Sequence, residues 1–195
     1  MRCYLGFETP TQISVNVSTP RHKEDTLTGI AIRCYREDDA PSVGRLIADT
    51  YSQYNLGFLP AEDRGPFLGP FQHARSPDAA QQEAIADVIR SEMVFVAEDD
   101  GQIVGVLRGR AERLASLFVS GDHHRRGIGR QLVERFERAS LEQGVDVIRV
   151  AATLYAVPFY LAMGYVRSTG VRSCWSFEGR GLPVQPMRKV LRGTR

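Results

Sequence analysis
The sequence is short of cysteine and of lysine, and it has no long apolar run. Its three cysteines, Cys3, Cys34 and Cys174, are an odd number at wide spacing with no CxxC pair. That pattern argues against a disulfide framework and a zinc site, and makes a reducing, cytoplasmic setting the expected one. No stretch approaches the length of a bilayer span. The first residues lack the basic start, apolar centre and small-residue cleavage site of a secretory signal, so no membrane role is expected. Of the 25 basic residues only Lys23 and Lys189 are lysines, a bias without a physical account.

What is present suits one compact domain. A chain of 195 residues that is 43% hydrophobic and 25% charged can bury a core without staples. Residues 1–28, rich in Thr, Ser and Pro with a charged "RHKED" cluster, read as an extension of one strand and a linker. The domain is then expected over 29–195. The net charge of +2 hides an asymmetry: residues 37–100 hold 4 arginines against 13 carboxylates, and 101–195 hold 16 basic residues against 7 acidic ones. Either these are solvated faces, or they border two kinds of ligand.

The apolar spacing gives the element order. "GIAIRCYRED" reads as a strand and "DAPSVGRLIADTYSQY" as a helix, with Val43, Leu46, Ile47, Thr50 and Tyr51 on one stripe. Residues 55–78 form a long Gly-, Pro- and aromatic-rich segment with one short helical turn at most, the kind of loop that carries function. A second helix follows in "DAAQQEAIADVIRS". "MVFVAE" and "QIVGVLRGR" flank an Asp-Gly hairpin turn, and "ERLASLFVS" is a further strand. A helix carrying Ile128, Leu132, Val133, Phe136 and Ala139 on one side runs to about Gly144. "VDVIRVAAT" reads as an interior strand, "YAVPFYLAMG" as a short helix, and the last segments as strands. The order β-α-α-β-β-β-α-β-α-β-β predicts an α/β fold: an antiparallel half feeding a β-α-β crossover in one mixed sheet.

One junction carries chemistry. In "LFVSGDHHRRGIGRQLVERFER" a strand ends, two histidines, two arginines and two glycines follow, and a helix begins. The first amides of that helix lack intrahelical partners and lie at the positive end of its dipole, a ready anion site. Gly127 and Gly129 let the chain approach a ligand, and Arg125, Arg126 and Arg130 add charge. These features favour a pyrophosphate. The spacing fits neither a Walker loop nor a dinucleotide fingerprint. Adjacent His123 and His124 point apart and no third ligand stands at a metal spacing, so no metal is expected and an exposed imidazole beside the phosphates is the reading kept. Glu134, Glu137 and Glu142 interrupt the arginines and no nucleic-acid reading motif accompanies them, so nucleic acid is not an expected partner.

The segment resembles motif A of the GNAT superfamily, the acyl-CoA-dependent N-acyltransferases, whose loop reads Gln/Arg-x-x-Gly-x-Gly/Ala. Here it is His124-Arg125-Arg126-Gly127-Ile128-Gly129. "ATLYAVPFYLAMGYV" resembles motif B, with Thr153, Ala156, Phe159, Tyr160, Gly164 and Tyr165 at the motif positions. The resemblance spans roughly 30–195 and implies a GNAT-like fold binding acetyl-CoA as co-substrate. It implies that Phe118 and Val119 contact pantetheine through their backbone and that an N–H near Val119 meets the oxyanion. The residues from His124 to Arg130 would hold the pyrophosphate. Thr153 and Phe159 would lie along the thioester arm, and Tyr160 would protonate the departing sulfur. The competing reading of Tyr160 is a core or capping tyrosine at helical spacing.

Two positions depart from the pattern: His124 replaces Gln or Arg, and Thr153 replaces Asn. No base stands out among Glu112, Ser116 and Tyr54. The implied function is acetyl transfer to a primary amine of a small molecule or peptide; the alternative is a non-catalytic acyl-CoA-binding or partner-binding module. The acidic stretch before residue 100 suggests a cationic acceptor, and the final strands allow strand exchange and a homodimer.

Overall fold
The computed structural model describes residues 29–174 and 181–191. The expected N-terminal extension therefore lies outside the described residues. The strands are β1 (Ile30–Cys34), β2 (Met93–Asp99), β3 (Gln102–Arg110), β4 (Arg113–Val119), β5 (Val147–Thr153), β6 (Val166–Arg167), β7 (Arg172–Ser173) and β8 (Pro183–Val190). The helices are α1 (Ala40–Thr50), α2 (Gly65–Leu68), α3 (Ala79–Ile89), α4 (Ile128–Glu142) and α5 (Val157–Ala162). One mixed sheet runs β1-β2-β3-β4-β5-β8-β6, with β7 also on β8. The predicted fold class and order hold; α2 and the two-residue β7 are additions. The loop expected with one helical turn instead holds α2 between 3-10 turns at Ala61–Asp63 and Gly69–His73.

Two cores flank the sheet. On one face α1 and α3 pack through Val43, Ile47, Ile85 and Ile89 onto Val94, Val96 and Val106. On the other, α4 brings Ile128, Leu132, Val133 and Phe136 onto Phe95, Leu107 and Leu114, and α5 adds Val157 and Tyr160. Both predicted helical stripes are buried, with Phe136 at 0% exposure. Truncating that ring would cost about 3–5 kcal/mol. At the β2–β3 hairpin Asp100 and Gly101 both take positive φ, 47° and 78°, as a two-residue primed turn requires.

The register between β4 and β5 creates the functional space. β4 stays paired with β3 as far as Val119↔Gly105, and β5 with β8 as far as Thr153↔Val184. Between themselves they pair only at Arg113↔Arg149 and Leu114↔Val150. Beyond Leu114 the two parallel strands part. Backbone groups of β4 that a ladder would satisfy there face a cavity instead, and buried backbone groups need partners.

Candidate active site
The opening between β4 and β5 is a cavity of about 980 Å³. Among the residues expected to bind cofactor, Phe118, Val119, His124, Arg125, Gly127, Ile128, Gly129, Arg130, Thr153 and Phe159 line it, and so does Tyr160. Arg126 does not. Its guanidinium lies 2.9 Å from Asp99 at the end of β2, where His123 Nε2 also comes within 3.3 Å.

The end of the cavity at α4 is built for an anion. Gly127 takes φ 79° at the N-cap of α4, and no side chain caps the helix. The first intrahelical bond is Gln131 N–H to Gly127 C=O at 3.0 Å. The amides before Gln131 are left for a ligand, at the positive end of a helix of 15 residues. Arg125, itself at φ 66°, and Arg130 stand beside them. Consecutive amides at such a turn form an anion-binding concavity, so this chain's residues fit a pyrophosphate.

His124 is half-buried, not exposed as expected. Its Nε2 lies 2.9 Å from the carbonyl of Val119, which can only accept, so Nε2 donates. Its ring also packs on Tyr54 at 4.7 Å between centroids, and Tyr54 in turn stacks on Tyr155 at 5.9 Å. The tyrosine sits in a single π turn, Tyr51–Asn55, that ends the α1 rod. A Cβ at Gly121 would stand 2.4 Å from the Tyr54 hydroxyl, so glycine there admits the ring. The next residue, Asn55, donates to Thr153 Oγ1 at 3.0 Å. Both departures from the motifs thus meet the same π turn. Sequence reasoning weighed Tyr54 only as a base, without choosing it, and missed Asn55 and Tyr155.

Tyr160 reconciles its two readings. It is 4% exposed, packs edge-on against Phe159 (5.1 Å) and Tyr165 (5.3 Å), and still borders the cavity. Burial pushes its phenol well above the ordinary tyrosine range, so it stays protonated.

No Asp or Glu lines the cavity among the described residues. Besides Asp99, six of the 13 carboxylates of the acidic stretch are paired with arginines. Arg33 takes Asp39 and Glu98, Arg75 takes Asp49, and Arg90 takes Glu37, Glu83 and Asp87. Glu112 lies outside the cavity as well, whereas Ser116 and Tyr54 border it.

A mixed sheet splayed at its parallel pair, with an uncapped helix at the splay, brings a free strand edge and an anion site into one cavity. The match to the family model for the acetyltransferase (GNAT) domain covers residues 48–191, and the chain belongs to that family. Among solved structures it is similar to a GCN5-related N-acetyltransferase from Rhodopseudomonas palustris, at TM-score 0.67 and 21% identity, covering 86% of this chain and 99% of that one. It is similar also to PaiA N-acetyltransferase from Thermoplasma acidophilum, solved in complex with coenzyme A, at TM-score 0.59 and 14% identity over 84% and 99% of the two chains. A third likeness is to yncA from Salmonella typhimurium with acetyl-CoA, at TM-score 0.54 and 17% identity over 86% and 97%. These likenesses show the fold. No curated protein matches the chain in a search by similarity. No described helix is long and apolar enough to cross a membrane.

Proposed function
We propose that this protein is an acetyl-CoA-dependent N-acetyltransferase acting by direct transfer to a primary amine, with Tyr160 as general acid. The observation that carries the reading is the convergence on one cavity of the unpaired β4 edge, the uncapped start of α4 and the Tyr160 phenol. The β4 edge would hold the pantetheine arm as a strand would, leaving a main-chain N–H near Val119 for the oxyanion. The freed amides with Arg125 and Arg130 would hold the pyrophosphate.

In the transfer the neutral amine nitrogen attacks the thioester carbonyl, a C–N bond forms and the C–S bond breaks. The sulfur gains one proton and the nitrogen loses one, so acetyl-CoA and amine become amide and CoA thiol. A free thiol ionises near pH 8.5, so a phenol above 10 assists the leaving sulfur first as a hydrogen-bond donor and is reprotonated at once.

The test is thiol release from acetyl-CoA across a panel of amines, for the wild type and Tyr160→Phe. Turnover that falls at least about a hundredfold in the variant supports the acid role. Tight CoA binding with no turnover on any amine would leave the non-catalytic module instead.

A further inference from the structure
The π turn at the end of α1 puts a hydrogen-bond acceptor at the cavity edge that the fold leaves unused. Its last residue, Asn55, borders the cavity together with Thr153 and Tyr160. The asparagine amide carries donors on its nitrogen and an acceptor on its oxygen. The nitrogen is engaged: Nδ2 donates to Thr153 Oγ1 at 3.0 Å. The oxygen, Oδ1, takes no hydrogen bond among the described residues and is not buried. Because the amide is planar, the bond to Thr153 also fixes where Oδ1 points.

The neighbours of Asn55 place it relative to the reacting carbonyl. Tyr54, one residue earlier, rests on the His124 ring at 4.7 Å, and His124 Nε2 holds the Val119 carbonyl at 2.9 Å. The π turn therefore bridges the splay, with Tyr54 against the β4 side and Asn55 against the end of β5. A thioester whose oxygen meets an N–H near Val119 would lie beneath that bridge. Tyr160 belongs to the core on the α4 face of the sheet, whereas α1 packs on the other face. The sulfur is thus served from one face and the amine can arrive from the other.

A neutral amine attacks through its lone pair, so its N–H bonds must be turned away from the carbonyl carbon. An oxygen that accepts one N–H does this, whereas a donor in the same place would bond the lone pair and block attack. We infer that Asn55 Oδ1 accepts an N–H of the acceptor amine and aims its lone pair at the thioester, with Thr153 orienting the amide. This rests on the transferase reading of the same cavity. Asn55 takes up no proton in the step.

The test measures thiol release from acetyl-CoA with butylamine, phenethylamine and lysine for wild type, Asn55→Ala, Asn55→Asp and Thr153→Val. Calorimetry adds the affinity for CoA and the binding of each amine to CoA-saturated protein. Asn55→Ala and Thr153→Val lose the same tie, so they should match in melting and in CoA affinity. In kcat/KM for the amine, Asn55→Ala should fall below Thr153→Val by at least about fivefold, the scale of one hydrogen bond. Asn55→Asp, whose carboxylate can accept from both the amine and the Thr153 hydroxyl, should keep more activity than Asn55→Ala. Equal amine kcat/KM in Asn55→Ala and Thr153→Val, or Asn55→Asp as poor as Asn55→Ala, overturns the assignment. Should Asn55→Ala fail to fold, Asn55→Leu, close to asparagine in shape, takes its place in the comparison. Amine binding that Asn55→Ala weakens more than Thr153→Val, without turnover of any amine, would sink the transferase reading alone. Turnover that the two variants reduce alike would sink this inference alone, and neither binding nor turnover would sink both.

Discussion
Asn55, at the last position of the π turn ending α1, donates a hydrogen bond to Thr153 Oγ1 at the end of β5, 3.0 Å away and 98 residues on in sequence. It ties the acceptor-side helix to the strand that bounds the far wall of the splay. An α-helical continuation would turn Asn55 to a different direction; the extra residue of a π turn re-aims it, a known use of such turns. Thr153→Val removes the acceptor while keeping the shape. A partly buried hydrogen bond is worth about 1 kcal/mol, so melting should drop by about 2–4 °C. The functional cost should be larger than the stability cost, because the cavity wall that Asn55 and Thr153 share loosens. Unchanged melting and unchanged KM for acetyl-CoA in Thr153→Val would show that the tie has no consequence.

The pH profile follows from the burial of Tyr160. Its phenol is raised above the ordinary value of about 10, so the acid form persists through the neutral and mildly alkaline range. Activity should therefore climb with pH as the acceptor amine loses its proton, with no descending limb from Tyr160 below about pH 10. Tyr160→Phe should lower the plateau without moving the climb. A descending limb centred below pH 9 that vanishes in Tyr160→Phe would contradict this sign.

Gly127 fixes the start of α4 through a left-handed φ of 79°. Alanine there meets open space, the nearest atom being Gln131 Nε2 at 4.0 Å, so the cost is conformational and not steric. About 1 kcal/mol follows from the left-handed penalty. Relief of that strain would rotate the amides off the anion site, so CoA affinity should weaken by more than the roughly fivefold that 1 kcal/mol represents. Isothermal titration of Gly127→Ala with CoA and with CoA lacking its phosphates separates the effects: only the intact ligand should lose affinity.

Arg33 and Asp39 anchor the acidic stretch far from the cavity. Burial alone would raise the Asp39 carboxyl, yet the Arg33 guanidinium at 2.7 Å and the Arg36 amide at 2.7 Å outweigh it and hold the group below its usual value. A lowered folded value contributes stability that is present above the unfolded value of about 3.9 and is lost as pH falls through the folded one. Asp39→Asn should cost about 2 kcal/mol at pH 7, and its urea midpoint should converge on that of wild type in acid. A gap that persists undiminished at pH 2 would assign the loss to packing instead.

Periodicity and turn chemistry made the fold legible. The stripes of α1 and α4, the Asp100-Gly101 turn and the β-α-β crossover each have a local signal, and each is where that signal put it. The glycine loop and Tyr160 stood out as short motifs of adjacent residues, and both border the cavity. The π turn did not, because a helix with one extra residue per turn has nearly the same apolar spacing as an α-helix. The pairing of Arg126 with Asp99 was hidden as well, since it joins residues 27 apart that only the hairpin brings together.

His124 stands where the family places Gln or Arg, and the geometry gives it a specific duty. Nε2–H holds the Val119 carbonyl at 2.9 Å, locking the end of β4 against the start of the phosphate loop, while its ring face rests on Tyr54. Glutamine can donate the same bond from its amide but cannot offer the ring face; alanine offers neither. A hydrogen bond of this kind contributes about 1 kcal/mol and the ring packing about another 0.5–1 kcal/mol. His124→Ala should therefore weaken CoA binding by roughly tenfold, with His124→Gln about midway. Direct phosphate recognition by the imidazole predicts otherwise: His124→Gln would then be as poor as alanine. Titrating CoA into all three proteins distinguishes the two roles, and a His124→Gln affinity midway between wild type and His124→Ala is the result the Val119 bond requires.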